Sequence, residues 1–102
     1  MNNQIVLIIR FWVTARSKPL FVEKLKTLFD QIQHEAAFVN ASLQEDVDHP
    51  EQLLVYETWQ GTRESFLQNQ MSKPYRIGFE RAILDLKVER TPQWLKPVAR
   101  WK

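Results

Sequence analysis

QIVLIIRFWVT, residues 4–14, is the stretch on which the fold of this chain turns. β-branched and aromatic residues dominate it, and alternation sets Ile5, Leu7, Ile9, Phe11 and Val13 on one face and Val6, Ile8, Arg10 and Trp12 on the other. Both faces are mostly apolar, the pattern of a central strand covered on both sides. Working outward, Ser17 precedes Lys18 and Pro19, an N-cap with proline in the first turn, and predicts a helix to about Glu35. Its stripe of Phe21, Leu25, Leu28, Phe29 and Ile32 has helical spacing and marks core.

Residues 37–45 alternate again, with Ala37, Val39, Ala41 and Leu43 facing one way and Phe38, Asn40, Ser42 and Gln44 the other. Asp46 to Glu51 has turn chemistry, and Gln52 to Trp59 follows as a strongly apolar third strand, so a hairpin is expected. Thr62 is placed to cap a short helix through about Gln70, and Ser72-Lys73-Pro74 restarts it with a stripe of Ile77, Phe79, Ile83 and Leu84 or nearby positions. Leu86 to Thr91 reads as a short fourth strand. Residues 1–91 are therefore expected to form one α+β domain, and residues 92–102, with two prolines and two tryptophans, an extended arm.

Strand, helix, strand, strand, helix, strand is the order of the ferredoxin-like split βαβ sandwich, an antiparallel sheet with its helices on one face. The topology places the first and third strands at the centre, and these are the two most apolar strands of the chain. Helices cover only one face of such a sheet, so a second sheet is expected on the other, supplied by a two-fold homodimer with the arm packed on the partner subunit.

Composition removes several classes of function. The 102 residues suit one domain with one core, and 44% apolar with 25% charged residues is a globular composition. The net charge of +2 gathers at the C-terminal end, where residues 85–102 carry five basic and two acidic side chains, too few for a nucleic-acid face. With no cysteine, disulfides, thiolate nucleophiles and Cys-ligated metals are excluded. Two glycines, Gly61 and Gly78, build neither a P-loop nor a dinucleotide fingerprint. No apolar run approaches the roughly 20 residues of a membrane span, and a soluble cytoplasmic protein is expected. His34 and His49 form no pair of metal-ligating spacing, so neither a metal nor another cofactor is expected.

Tyr56-Glu57-Thr58-Trp59, the helix start Gly61-Thr62-Arg63-Glu64-Ser65-Phe66, and Asn69-Gln70-Met71-Ser72-Lys73-Pro74-Tyr75 carry a family likeness, with a first strand that ends in Thr14-Ala15-Arg16. Across roughly Ile5 to Leu86 the chain resembles the antibiotic biosynthesis monooxygenase domain family. The resemblance implies a dimeric α+β barrel with a small-molecule cavity between sheet and helices. It also implies an activity, since characterised relatives are cofactor-independent monooxygenases of polyphenolic or quinol substrates, or haem-degrading enzymes. The chain departs from the family pattern where a helix His commonly stands, because Asn69 occupies that position and Lys73 separates Ser72 from Pro74. The haem-degrading relatives use that His as the iron ligand together with a first-strand Asn, and this chain has neither.

The resemblance places Trp59 in the cavity, where the indole N–H orients a substrate oxygen and the ring stacks on an aromatic. Glu57 shares the strand face of Leu53, Val55 and Trp59, where a carboxylate is costly unless paired; Arg10, Arg16 and Arg81 are candidate partners. Glu57 is the candidate base, with Trp59 and Asn69 holding the substrate oxygen, and Tyr75, Arg76 and Trp12 are candidate substrate contacts. Two readings follow. In one, the protein is a cofactor-free monooxygenase of a small electron-rich aromatic, a quinol or polyphenol. In the other, it is a dimeric ligand-binding or stress-related module without turnover.

Overall fold

The computed structural model describes residues 3–102 and is an α+β domain with a four-stranded antiparallel sheet in the order β2-β3-β1-β4. The elements run β1 (Gln4–Trp12), α1 (Lys18–Ile32), β2 (Phe38–Glu45), β3 (Gln52–Gln60), α2 (Arg63–Gln70), α3 (Tyr75–Asp85) and β4 (Glu89–Leu95). As expected from their apolarity, β1 and β3 are the central strands, paired with Ile5 opposite Trp59, Leu7 opposite Glu57 and Ile9 opposite Val55. One sheet face packs on the helices: Leu7, Phe11, Leu53, Val55 and Trp59 join Phe21, Leu25, Leu28 and Ile32 of α1, Phe66 of α2, and Phe79 and Ile83 of α3 in a single core. Phe11 and Phe21 meet edge to face with centroids 5.0 Å apart, and Phe79 closes the cluster 5.8 Å from Phe21.

Several boundaries differ from the sequence reading, each for a local reason. The entry to α1 is tied by Thr14, whose Oγ1 accepts the Ser17 amide at 3.1 Å, while Ser17 makes no side-chain cap. The helix ends at Ile32, and Glu35 lies in the turn whose carbonyl accepts the Phe38 amide. A β-bulge between Phe38 and Asn40 breaks the alternation of β2. The extra residue turns Phe38 to the same face as Ala41 and Leu43, where its ring meets Trp59 edge to face at 5.3 Å. On α3 the buried residues are Phe79, Ala82 and Ile83, and Ile77 and Leu84 face solvent. Thr62 caps α2 as expected, and the structure extends this to a capping box, with Thr62 and Ser65 exchanging side-chain and backbone hydrogen bonds.

The largest correction concerns the C-terminal segment. Residues 92–95 belong to β4 and pair with β1, with Pro92 opposite Ile9 and Trp94 opposite Leu7. Proline lacks a ladder donor but is tolerated here because β4 is an edge strand. The domain therefore runs to Leu95, and Trp94 packs on Phe66 with centroids 5.2 Å apart instead of reaching outward. Only residues 96–102 lie beyond the sheet, and Val98 and Trp101 there are exposed. The sheet face away from the helices presents Trp12 and Tyr56, 48% and 41% exposed. No helix among the described residues is long and apolar enough to cross a membrane.

Candidate active site

Between the helix-facing side of the sheet and the roof made by α2 and α3 lies a cavity of about 250 Å³. Its walls are apolar, with Leu7, Phe11, Leu25, Phe66, Phe79 and Trp94 prominent, and four charged side chains reach it: Glu57, Arg76, Glu80 and Arg90. Glu57 is placed by strand alternation. It projects from the middle of β3 on the same face as Val55 and Trp59, opposite Leu7 of β1 and Ala41 of β2.

Glu57 is only 2% exposed. Its Oε1 accepts a hydrogen bond from the Trp59 indole Nε1 at 2.8 Å, a contact between residues two apart on one strand face. Among the described residues no donor reaches its second oxygen. Burial pushes the Glu57 carboxyl up to about 7, against the opposing pull of the indole hydrogen bond and of the positive charge on Arg76. The carboxyl thus changes charge near neutrality, as a general base working at physiological pH requires. Trp59 is held in turn by edge contacts to Phe38 and to Phe66, the latter at 5.1 Å, so the donor to Glu57 has little freedom to move.

Arg76 enters from the first turn of α3. Its guanidinium carbon lies 5.4 Å from the centre of the Phe66 ring, and its Nη2 donates to Gln70 Oε1 at 3.1 Å. Gln70 is buried, and its Oε1 also stands 3.1 Å from the Tyr75 hydroxyl, which lies 2.9 Å from Glu35 Oε2. Lys73 Nζ pairs with Glu35 Oε1 at 3.2 Å. A polar chain of Arg76, Gln70, Tyr75, Glu35 and Lys73 thus runs from the cavity to the surface. At the cavity's other polar wall Glu80 and Arg90 form a two-pronged ion pair, with Arg90 Nη1 donating to Glu80 Oε2 at 2.7 Å.

The structure brings Glu57 and Arg76 together in the cavity and separates the other candidates from it; Trp59 is 1% exposed, does not line the cavity as the resemblance implies, and commits its indole N–H to Glu57 instead of to a substrate oxygen. Asn69 is exposed and does not line the cavity; Gln70 turns inward in its place. The sequence held a signal for this, because Gln70 stands four residues after Phe66 and so shares the buried face of α2. Trp12 lies on the opposite sheet face, since residue 12 of β1 differs in parity from Leu7 and Phe11. Tyr75 is half-buried and contributes through Gln70 instead of lining the cavity. Arg10, Arg16 and Arg81 are exposed and pair with nothing in the site; Arg10 donates to Gln93. The charge facing Glu57 belongs to Arg76. Glu80 and Arg90 were not read as site residues. Arg90 shares the inward parity of Pro92 and Trp94, a pattern visible only once β4 is extended to Leu95.

The helix-facing cavity thus holds a buried carboxyl, Glu57, tied from behind by the Trp59 indole, with the Arg76 guanidinium facing it. Solved structures share the split βαβ fold. The chain is similar to a candidate antibiotic biosynthesis monooxygenase from Nitrosomonas europaea, with a TM-score of 0.83, 15% identity, and 96% of this chain and 93% of that one covered. A second candidate antibiotic biosynthesis monooxygenase, from Deinococcus radiodurans, gives a TM-score of 0.84 at 13% identity, covering 96% of both chains. A conserved protein of unknown function from Bacteroides thetaiotaomicron, described as a possible oxidoreductase, gives 0.82 at 18% identity, covering 94% of this chain and 99% of that one. No family model matches the chain and no curated protein matches it. The likeness establishes an antibiotic biosynthesis monooxygenase-like fold at low identity.

Proposed function

We propose that this protein is a cofactor-independent monooxygenase that acts on a small electron-rich aromatic, a quinol or polyphenol. The observation that carries the reading is the Glu57 carboxyl, enclosed in an apolar cavity and oriented by the Trp59 indole. The carboxylate takes the phenolic proton, and the resulting anion reduces dioxygen. A C–O bond forms at an activated ring carbon that bears hydrogen. The O–O bond then breaks, one oxygen stays as a carbonyl and the other leaves as water, so that a phenol plus dioxygen becomes a quinone plus water. The names of the similar structures support a general monooxygenase-like function. Oxygen uptake with a panel of quinols and polyphenols tests it, with Trp59→Phe protein run beside the wild type and expected to turn over more slowly.

A second reading, a ligand-binding module without turnover, is favoured by one observation: Asn69, at the position where the family commonly has a helix His, points away from the cavity. Measurable phenol binding with no oxygen uptake from any substrate decides for it.

The working unit in either reading is a homodimer joined through the sheet face that carries Trp12 and Tyr56, with residues 96–102 reaching the partner subunit. Exposed Trp12, Tyr56 and Trp101 support this, because a monomer leaves that apolar area in water. An obligate interface of this kind buries on the order of 2,000 Å² or more. Sedimentation at micromolar concentration is expected to give twice the 12.2 kDa chain mass, and a clean monomer overturns the assignment. Truncation after Leu95, which spares β4, is expected to weaken the dimer; an unchanged dissociation constant shows that the arm takes no part.

A further inference from the structure

Four charged side chains share the cavity, and only two of them form an ion pair. Glu80 and Arg90 neutralise each other through their two-pronged contact, so Glu80 has both oxygens engaged although it lies near Arg76. Glu57 gives one oxygen to the Trp59 indole, and among the described residues no ion pair joins it to Arg76. Arg76 is left with a neutral amide acceptor on Nη2 and an aromatic face. Its Nε is the one enclosed side-chain polar atom without any partner among the described residues. A guanidinium in an apolar cavity with an unfilled donor is costly unless an anion meets it. Glu57, from the strand across the cavity, presents a free oxygen that accepts a proton.

We infer that the cavity takes an aromatic hydroxy acid: a ring whose carboxylate meets Arg76 and whose neighbouring hydroxyl donates to Glu57. The assignment rests on the proposed use of this same site and adds the charge and substitution of the ligand. Phe11, Phe66, Phe79 and Trp94 supply faces and edges for the ring. The cavity, at about 250 Å³, lies just below the usual range for drug-sized ligands, which restricts the occupant to one or two rings. Gln70 fixes the guanidinium from behind, and the Tyr75, Glu35 and Lys73 chain holds Gln70 in turn, so Arg76 is set in place before a ligand arrives.

Calorimetric titration with 2-hydroxybenzoate and with its isostere 2-hydroxybenzamide tests the inference at pH 7, where the amide is uncharged, without reference to turnover. The acid is expected to bind at least about tenfold more tightly than the amide, the size of one charge-assisted hydrogen bond. Arg76→Gln should erase that preference by weakening the acid far more than the amide, and Arg76→Lys should restore part of it. Equal affinity of the wild type for acid and amide, or a preference that survives Arg76→Gln, overturns the inference. The wild-type comparison stands alone should Arg76→Gln fail to fold. Oxygen uptake with uncharged quinols and no preference for the acid overturns the inference and leaves the monooxygenase reading intact; preference for the acid with no oxygen uptake does the reverse.

Discussion

Glu57→Gln is expected to lower turnover by about 10²- to 10⁴-fold, the usual worth of a general base, while fold and dimer survive. The amide is close in size to the carboxyl and keeps an oxygen for the Trp59 indole, so the variant removes the base without removing the hydrogen bond. In the wild type, kcat/KM should fall on the acid side of a pKa of about 7, because only the ionised carboxylate accepts the substrate proton. Full activity in Glu57→Gln removes Glu57 from the mechanism. The same substitution has a stability signature with a definite sign. The Glu57 carboxyl sits at about 7 in the folded chain against an ordinary 4.5, so the folded state binds the extra proton between these values. Stability from this group is fully present below about 4.5, declines as pH rises toward 7 and is flat beyond, a loss of roughly 3 kcal/mol at most. Glu57→Gln should therefore gain in melting temperature relative to wild type between pH 5 and pH 8. A difference independent of pH contradicts the assigned burial of charge.

Trp59→Ala is expected to be the most damaging single change to the fold, at about 3–5 kcal/mol. Trp59 is 1% exposed and lies between the rings of Phe38 and Phe66, so its loss opens a void that three elements share. For a domain of this size that corresponds to at least about 12 °C in melting temperature. Trp59→Phe retains most of the packing and isolates the chemistry. It leaves Glu57 Oε1 without its donor, which disfavours the buried carboxylate and moves the acid limb of the pH profile above about 7. A pH profile superimposable on wild type shows that the indole does not hold the carboxyl in solution. Thermal melts with pH–rate profiles separate the packing role of Trp59 from its hydrogen-bonding role.

The α+β class, the central positions of β1 and β3, the Thr62 cap of α2 and the inward face that carries Glu57 and Trp59 were all legible in the chain. Each depends on local information: a period of two or of 3.6, a cap at fixed offset, a turn cluster. The same logic failed where one residue shifts the phase. The bulge at β2 put Phe38 beside Trp59 against the apparent alternation, and Pro92 disguised an edge strand as the start of an arm. Helix phase, counted from Phe66, would have preferred Gln70 to Asn69.

What the sequence by itself determined is which segments form strands and helices and which faces they bury, because periodicity and side-chain chemistry are properties of neighbours along the chain. What only the tertiary structure decided is the company each polar group keeps. Arg76 facing Glu57 from another element, Glu80 closed by Arg90, and Glu35 reaching Gln70 through Tyr75 across forty residues all depend on how α1, α3 and the sheet are set against one another. Such partners are chosen by packing in three dimensions, where burial makes an unpaired charge costly, and no spacing along the chain records them.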